Sequence, residues 1–353
     1  MTFKKVLSLA TLVLMAVIVF ASRHEFVAVW HKLQDMNLWI LALLLPIQIL
    51  MYFAAGQVYF SYLKEKKQLK KISTPRLMRI SLEMNFVNHV IPSGGVSGLS
   101  YLAWRLRDYG ITAGQAAMMQ VIRYGLVSIA TTLVVIISSV VLGFSGIPMK
   151  VVIFSALMAT SLTLFVLVVM FILGHKKRVA TFGKWFRIII NKVVKTVTFN
   201  KIPRLLKQKS VDKFLLDLHR DYTQIIKDKK ILIKPFLWSV FYSLLDSSTF
   251  LVSFYALGAH VSFAPVIIAQ GLASIAGTLA VTPGGTGFFE ATMAAYFIAT
   301  GIDPDIALGA TLVTRVIVLL GTILSGWGFY QMALLKSKDK RLDVGAEVNG
   351  SSR

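Results

Sequence analysis

Long apolar runs, each close to the length that a helix needs to cross a lipid bilayer, constrain this chain more than any other feature. A hydrocarbon core about 30 Å thick is crossed by roughly 20 helical residues. In that layer only helices and closed barrels satisfy their backbone hydrogen bonds. Six runs are predicted as full spans, the first as a retained signal anchor: Leu7–Ala21, Leu38–Leu63, Ala113–Leu142, Val151–Leu173, Ile231–Leu257 and Ile306–Leu335.

The composition agrees with a membrane protein and excludes an ordinary soluble enzyme. Hydrophobic residues make up 56% of the 353-residue chain and charged residues 15%, against about 45–50% and 25% in soluble domains. The chain has no cysteine, which removes thiolate metal sites and cysteine nucleophiles. The six histidines show no metal-ligand spacing, so we expect no catalytic residues, metal site or cofactor.

Two further apolar segments are interrupted in the middle by proline and glycine. Ile80–Trp104 contains Pro92-Ser93-Gly94-Gly95, and Pro265–Ala299 contains Pro283-Gly284-Gly285-Thr286-Gly287. Each half of the first segment gives roughly 18 Å of helix, which reaches only the middle of a bilayer. The expected fold class is an all-α integral membrane protein, a polytopic helical bundle with two Pro/Gly-broken hairpins, re-entrant or fully crossing.

The basic residues predict the orientation of the chain. Lys64–Arg79 carries seven basic residues, and His175–Lys234 carries 17 against four acidic ones. Basic segments next to spans remain in the cytoplasm, so we predict a multi-pass protein of the cell membrane with cytoplasmic N- and C-termini. The net charge of +22 then reflects topology and anionic headgroups. No nucleic-acid partner is expected, because no nucleic-acid-binding motif is present.

The two interrupted segments resemble each other in sequence. From Pro92 to Arg123 is 31 residues, and from Pro283 to Arg315 is 32. A Gly-Ile pair lies between the two positions in both copies. With the orientation above, the copies run in opposite directions, which is typical of inverted-repeat transporters with discontinuous helices. The alternative is a chance similarity of two glycine-rich apolar stretches.

The breaks themselves are candidate anion sites. Proline removes an amide donor and glycine permits close backbone approach, so each break leaves amides to be satisfied by protein, water or ligand. Amides that open the second half-helix direct its positive dipole end into the protein, where a phosphate or carboxylate is favoured. A packing kink filled by neighbouring helices is the alternative. The site residues predicted at the breaks are Pro92, Gly94, Gly95, Pro283, Gly284 and Gly285.

Two arginines lie within apolar segments, where an ionisable group is costly to insert. Arg123 and Arg315 suit bidentate contact with a lipid phosphate. The alternative is a structural pair between each arginine and an intramembrane carboxylate. Both hold if a substrate displaces the carboxylate.

Three carboxylates complete the predicted binding site. Glu290 would contact a cationic headgroup, or alternatively bridge to Arg315, and Asp246 would carry protons or belong to a static hydrogen-bond network. Glu83 is accompanied by the polar residues Asn85 and Asn88. We therefore expect Glu83, Asn85, Asn88, Asp246 and Glu290 to bind substrate together with the arginines.

The chain is predicted to form one transmembrane domain, residues 1–335, followed by a polar tail, residues 336–353, that composition predicts to be disordered. Within the domain, residues 175–234 form a basic cytoplasmic segment. Its stretch FGKWFRIIINKVVKTV, residues 182–197, has the pattern of an amphipathic helix lying in the interface of an anionic leaflet. A solvated basic linker is the alternative.

Particular motifs resemble a known family. VTPGGTGFFEATMAAYFIATGI (residues 281–302) and ALGATLVTRVI (residues 307–317) are similar to the second motif of the lysylphosphatidylglycerol synthase transmembrane (flippase-like) family. NHVIPSGGVSG (residues 88–98) resembles its first motif, and the resemblance covers about residues 5–335. Members usually carry an acidic residue and an arginine soon after the first break, whereas residues 98–102 read GLSYL here.

The resemblance implies a role with membrane lipids. In two-domain relatives, a soluble domain attaches lysine to phosphatidylglycerol and the membrane part moves the product across the bilayer. This sequence ends 18 residues after Leu335, so we expect it to lack that soluble domain. The expected function is translocation of a phospholipid, such as aminoacylated phosphatidylglycerol, or of a lipid-linked headgroup between leaflets.

Two other functions are the alternatives: a membrane component of a lipid-modifying enzyme system, and an ion-coupled carrier of a small anion. The expected partners are membrane phospholipids with their anionic headgroups, a lipid-modifying enzyme and a second copy of the chain.

Overall fold

The computed structural model describes residues 23–65, 69, 72–91, 96–143, 153, 160, 163–164, 167–197, 208–279, 285 and 287–350. Every regular element in these ranges is a helix, which confirms the predicted all-α class. Within them, four helical segments are long and apolar enough to cross a membrane: Leu38–Glu65, Ala113–Val141, Lys229–Ala256 and Pro304–Leu334.

These segments correspond to four of the six predicted spans. The predicted span Leu7–Ala21 lies outside the described residues, as does most of Val151–Leu173. The described helices are numbered here in chain order: α1 (Arg23–Gln34), α2 (Leu38–Leu41), α3 (Leu44–Glu65), α4 (Thr74–Val90), α5 (Val96–Arg107), α6 (Ala113–Gly143), α7 (Lys176–Val197), α8 (Gln208–Lys227), α9 (Ile233–Ala256), α10 (Phe263–Leu279), α11 (Phe288–Ala299) and α12 (Pro304–Gly350).

The contacts divide the chain into two compact units that interleave along the sequence. Unit 1 comprises Met1–Phe53, Ser73–Tyr101 and Leu245–Arg353, and unit 2 comprises Ala54–Ile72 and Leu102–Leu244. In unit 1, α12 packs against α1, α4 and α11, and α10 packs against α11. In unit 2, α8 packs against both α6 and α7.

Small residues allow close helix packing within each unit. In unit 1, a side chain on Gly326 of α12 would begin 2.4 Å from Cβ of Phe86 on α4. In unit 2, a side chain on Gly114 at the start of α6 would begin 2.6 Å from Cβ of Asp217 on α8. Because real Cβ atoms do not approach so closely, glycine at these positions sets the distance between the helices.

The two predicted hairpins appear as two broken helix pairs of matching length. The first consists of α4 with 17 residues and α5 with 12, and the second of α10 with 17 and α11 with 12. α4 begins at Thr74, earlier than the predicted Ile80, because proline lies in the first turn after Ser73 and favours a helix start. At 1.5 Å per residue, the longer helices span about 26 Å and the shorter ones about 18 Å.

The turn that ends each hairpin has the same hydrogen bonds in both copies. Gly110 and Gly301 have φ values of 77° and 89°, a region that favours glycine. Each glycine amide donates to the carbonyl three residues back, and the next amide, from isoleucine, donates to the carbonyl five residues back, as in a Schellman cap. The distances are Gly110 N to Arg107 O 3.0 Å, Ile111 N to Leu106 O 3.3 Å, Gly301 N to Ile298 O 3.0 Å and Ile302 N to Phe297 O 3.0 Å.

This shared cap extends the repeat from sequence similarity to local backbone structure. The opposite orientation of the two copies stays a prediction. At the other end of the chain, the backbone of residues 336–350 continues α12 to Gly350, although composition alone predicts a disordered tail there. No proline interrupts this stretch, so the preceding helix has no strong local stop.

Candidate functional site

In unit 1, Arg315 of α12 forms an ion pair with Glu290 of α11. Arg315 Nε donates to Glu290 Oε1 at 2.8 Å, and the guanidinium lies over the Phe289 ring at 4.5 Å from its centroid. The second carboxylate oxygen of Glu290 accepts from the amide of Gly287 at 2.7 Å. This is the reciprocal half of a capping box, in which an acidic residue at the third helical position satisfies an amide at the helix start.

Glu290 therefore connects the start of a broken half-helix to the last span. The bridge to Arg315, which the sequence left as the alternative role of Glu290, is present. The carboxylate side chain is 11% exposed and the arginine side chain 30%. A phosphate that reached this place would meet an arginine fork and a helix N-terminus, both of which favour an anion, and would compete with Glu290 for them.

A second buried carboxylate, Glu83 of α4, also has an arginine partner. Arg79 Nε lies 3.1 Å from Glu83 Oε1, and the Tyr101 hydroxyl donates to Glu83 Oε2 at 2.8 Å. Glu83 is 0% exposed. Arg79 also lies 5.1 Å from the centroid of the Phe329 ring. Glu83 is thus held in a packed polar cluster. The arginine that pairs with it is Arg79, whereas the sequence offered Arg123 or Arg315 as its partner.

Neither partner of Glu83 was predicted from the sequence. Arg79 was assigned to the cytoplasmic basic stretch Lys64–Arg79, and Tyr101 to an uncharged segment. The spacing of Arg79 and Glu83, four residues apart on one helix, is a signal that could have found the pair. Tyr101 lies 18 residues from Glu83, and no local pattern indicates that contact.

Asp246 of α9 lies in a hydrogen-bond network with α10. The Gln270 amide donates to Asp246 Oδ2, and the Ser247 hydroxyl donates to Gln270 Oε1. Ser247 is 1% exposed and Gln270 7% exposed. This network matches the static alternative considered for Asp246, and its role in carrying protons stays a prediction.

The two predicted asparagines, Asn85 and Asn88, form hydrogen bonds near the break of the first hairpin. The amide of Gly98 donates to Asn88 Oδ1 at 2.8 Å across the break. Gly98 is the third residue of α5, so Asn88 satisfies one of the amides that a broken helix leaves without an intrahelical partner. The backbone carbonyl of Asn85 lies 2.8 Å from Nδ1 of His89. Asn88 therefore satisfies an amide in the first turn of α5.

Replacing Asn88 with alanine should remove this cap and destabilise the protein by about 1 kcal/mol, the usual effect of losing an N-terminal side-chain acceptor. Asn88→Asp retains an oxygen acceptor and should keep most of the stability. The measurement is the midpoint of thermal unfolding in detergent micelles. Equal midpoints for the wild type and Asn88→Ala would contradict the capping role.

The described part of the second break shows why glycine is needed there. Gly285 has a φ of 72°, and a side chain at this position would begin 2.5 Å from the Cα of Gly277 on α10. Two backbones are therefore in direct contact at Gly285, and the predicted anion site at this break stays a prediction. The predicted site residues Pro92, Gly94, Gly95, Pro283 and Gly284 lie outside the described residues.

In unit 2, Arg123 of α6 lies among tyrosines. Its guanidinium carbon is 4.8 Å from the centroid of the Tyr59 ring and 5.4 Å from that of Tyr124, and it is hydrogen-bonded to the Tyr242 side chain. Tyr59 is 0% exposed and Arg123 is half-buried. Among the described residues, no carboxylate forms an ion pair with Arg123. Its charge is stabilised by ring faces and a hydroxyl instead.

The two arginines at equivalent positions in the repeat therefore have different kinds of partner. Arg315 has a carboxylate partner, whereas Arg123 has aromatic ones. The contacts of Arg123 with Tyr59 and Tyr242 were not predicted from the sequence, because each tyrosine belongs to a different helix from Arg123. In the part of the chain that the structure describes, no group of three or more His, Asp or Glu side chains could hold a metal ion.

A sequence model of one protein family, the lysylphosphatidylglycerol synthase TM region, matches residues 6–326. The chain belongs to this family. The match covers both broken hairpins, both arginines and all the spans described above except the end of the last. Membership in the lysylphosphatidylglycerol synthase TM family makes this a multi-pass membrane protein linked to lipid modification. A search of curated proteins found no match.

Proposed function

We propose that this member of the lysylphosphatidylglycerol synthase TM family translocates an anionic phospholipid, or a lipid-linked headgroup, between leaflets. The observation that carries the proposal is Arg123, a cation on a membrane span with aromatic rather than carboxylate neighbours. Guanidinium binds phosphate bidentately, and charged groups retained within spans usually mark a substrate path. In this proposal Arg123 holds the lipid phosphate while the acyl chains stay in the bilayer.

Within unit 1, we propose a second phosphate contact at Arg315 and Glu290. An incoming phosphate exchanges with the Glu290 carboxylate for the Arg315 fork and the Gly287 amide, and Glu290 is then available to a cationic headgroup such as a lysyl group. Asp246 tunes the charge of the path. The proposed topology places both termini in the cytoplasm, on the basis of the positive-inside rule.

The experiment is lipid exchange in liposomes that contain the purified chain. Fluorescent phosphatidylglycerol and its lysyl derivative are followed by quenching from outside. Arg123→Ala should slow the exchange at least tenfold, since the loss of one charge-assisted phosphate contact is worth about 1.5–3 kcal/mol. Arg123→Lys should retain part of the rate, because lysine keeps the charge and loses the fork.

The matched control for this experiment is Arg220→Ala. Arg220 is an arginine outside the spans whose side chain is 63% exposed and whose nearest carboxylate oxygen, on Asp217, is 3.7 Å away. An exposed pair of this kind contributes little, and the exchange rate should not change. Unaltered exchange in folded Arg123→Ala would refute the assignment of Arg123.

A second candidate is a membrane component of a lipid-modifying enzyme system, which the name of the matched family favours. In that case the purified chain should show no exchange of either lipid alone. An aminoacylated lipid formed only when a partner transferase is added would support this candidate.

A further inference from the structure

Helix α7 of unit 2 buries one face and exposes another. Val179 is 3% exposed, and a side chain on Gly183, one turn further on, would begin 2.1 Å from Leu215 of α8, so this side of α7 packs against α8. Phe182, Trp185 and Ile188 are 37%, 57% and 60% exposed. The three recur at intervals of three residues and therefore form an apolar stripe along the helix.

The charges of α7 have a single sign. Its sequence KKRVATFGKWFRIIINKVVKTV contains seven basic residues and no acidic residue. The neighbouring α8, QKSVDKFLLDLHRDYTQIIK, contains four basic and three acidic residues. Both helices are amphipathic, but only α7 combines exposed aromatic side chains with an uncompensated positive charge. This combination fits an anionic surface that also has an apolar layer beneath it.

α7 lies next to a segment whose apolar side chains are exposed. It follows directly after the helical residues 167–173, in which Leu167 and Phe171 are 51% and 61% exposed. Arg178 in the first turn of α7 donates to the carbonyl of Phe171 at 3.1 Å and lies 3.6 Å from the centroid of its ring. α7 is thus fixed to the end of an apolar, exposed segment.

We propose that α7 lies in the headgroup layer of one leaflet and binds lipids whose headgroups carry net negative charge. The exposed stripe of Phe182, Trp185 and Ile188 inserts at the boundary of the acyl chains, and Lys184 and Arg187 contact the phosphates. A nucleic acid would leave the apolar stripe in water. This inference is independent of the translocation proposed above, because it concerns a surface rather than the path through Arg123.

The absence of cysteine from the chain permits a direct test with single spin labels. The full-length protein carries one nitroxide at Ile188→Cys and is placed in nanodiscs of phosphatidylcholine alone or with 30% phosphatidylglycerol. Depth is measured from the relative accessibility of the label to oxygen and to a water-soluble nickel chelate. Ile137→Cys on α6, which is 56% exposed, provides the membrane reference, and Gln224→Cys on α8, which is exposed, provides the reference outside the spans.

The expected result is a buried label at position 188 in the phosphatidylglycerol discs. Lys184→Gln/Arg187→Gln should then lower the ratio of buried to exposed label about 30-fold at low salt, from the usual contribution of each basic residue near an anionic leaflet. High salt should also lower the ratio of buried to exposed label at position 188. The label at Ile137→Cys should not respond to lipid charge.

Three outcomes would overturn the proposal. The label at position 188 is water-accessible in both lipid mixtures, or its depth is the same with and without phosphatidylglycerol, or it becomes buried only after RNA or an acidic polypeptide is added. Lipid exchange is also measured on the Lys184→Gln/Arg187→Gln protein, which keeps the two proposals distinguishable. Loss of α7 binding with normal exchange concerns the role of α7 and leaves the translocation proposal unchanged.

Discussion

Arg79→Leu should destabilise the protein strongly, by about 3–5 kcal/mol, which is the usual result of removing one member of a buried ion pair. Glu83 is 0% exposed and lies 3.1 Å from Arg79 Nε. Without the guanidinium, the carboxylate stays in a packed interior and loses the positive charge that lies 3.1 Å from it. The Tyr101 hydroxyl, 2.8 Å away, satisfies an oxygen atom but not the charge.

The triple variant Arg79→Leu/Glu83→Leu/Tyr101→Phe should recover most of the lost stability. It replaces the whole polar cluster with apolar groups of similar volume, an exchange that is often neutral or stabilising. The measurement is the unfolding midpoint in mixed detergent micelles for the wild type, the single variant and the triple variant. A triple variant as unstable as Arg79→Leu would show that lost packing, rather than loss of the Arg79 charge, accounts for the effect.

Gly285→Ala should destabilise the protein by about 2–5 kcal/mol, from two causes acting together. The φ of 72° is unfavourable for a residue with a side chain, and the new methyl group would lie 2.5 Å from the Gly277 backbone, which overpacks the contact. The neighbouring backbone cannot move aside as a flexible side chain would. We therefore expect the second hairpin to lose the backbone contact between Gly285 and Gly277.

Gly287→Ala is the matched control for this prediction. Gly287 has a φ of 88°, but a side chain there would meet no atom within 4 Å. Its replacement should cost only the backbone strain, about 1–3 kcal/mol. The difference between the two unfolding midpoints then measures the contact between Gly285 and Gly277. Equal loss of stability in both variants would mean that strain alone makes glycine necessary at position 285.

Both experiments concern the elements that position the candidate site. The Glu83 cluster joins α4 to the middle of α5. The Gly285 contact holds α10 against the break before α11. Glu290 then ties the start of α11 to Arg315 on the last span. A loss of lipid exchange in these variants is therefore interpretable only when the unfolding midpoints are measured alongside.

The fold class, the described spans and the family could all be predicted from the amino-acid sequence. Apolar runs of about 20 residues have few alternatives in a bilayer, and proline and glycine mark breaks through their own backbone geometry. The repeat was readable for the same reason, because a Gly-Ile pair forms the same cap after each hairpin through bonds no more than five residues long. These are local properties, and each residue type largely decides them.

The partner of each charged residue, by contrast, depends on tertiary packing. Arg315 pairs with Glu290, 25 residues away, whereas Arg123, at the equivalent place in the repeat, lies against Tyr59 and Tyr242 from other helices. Asn88 caps a half-helix across the break, and its predicted role in binding substrate stays a prediction. A single sequence specifies that a buried charge needs compensation, but its neighbours depend on how distant helices pack, and packing brings together residues that no sequence spacing relates.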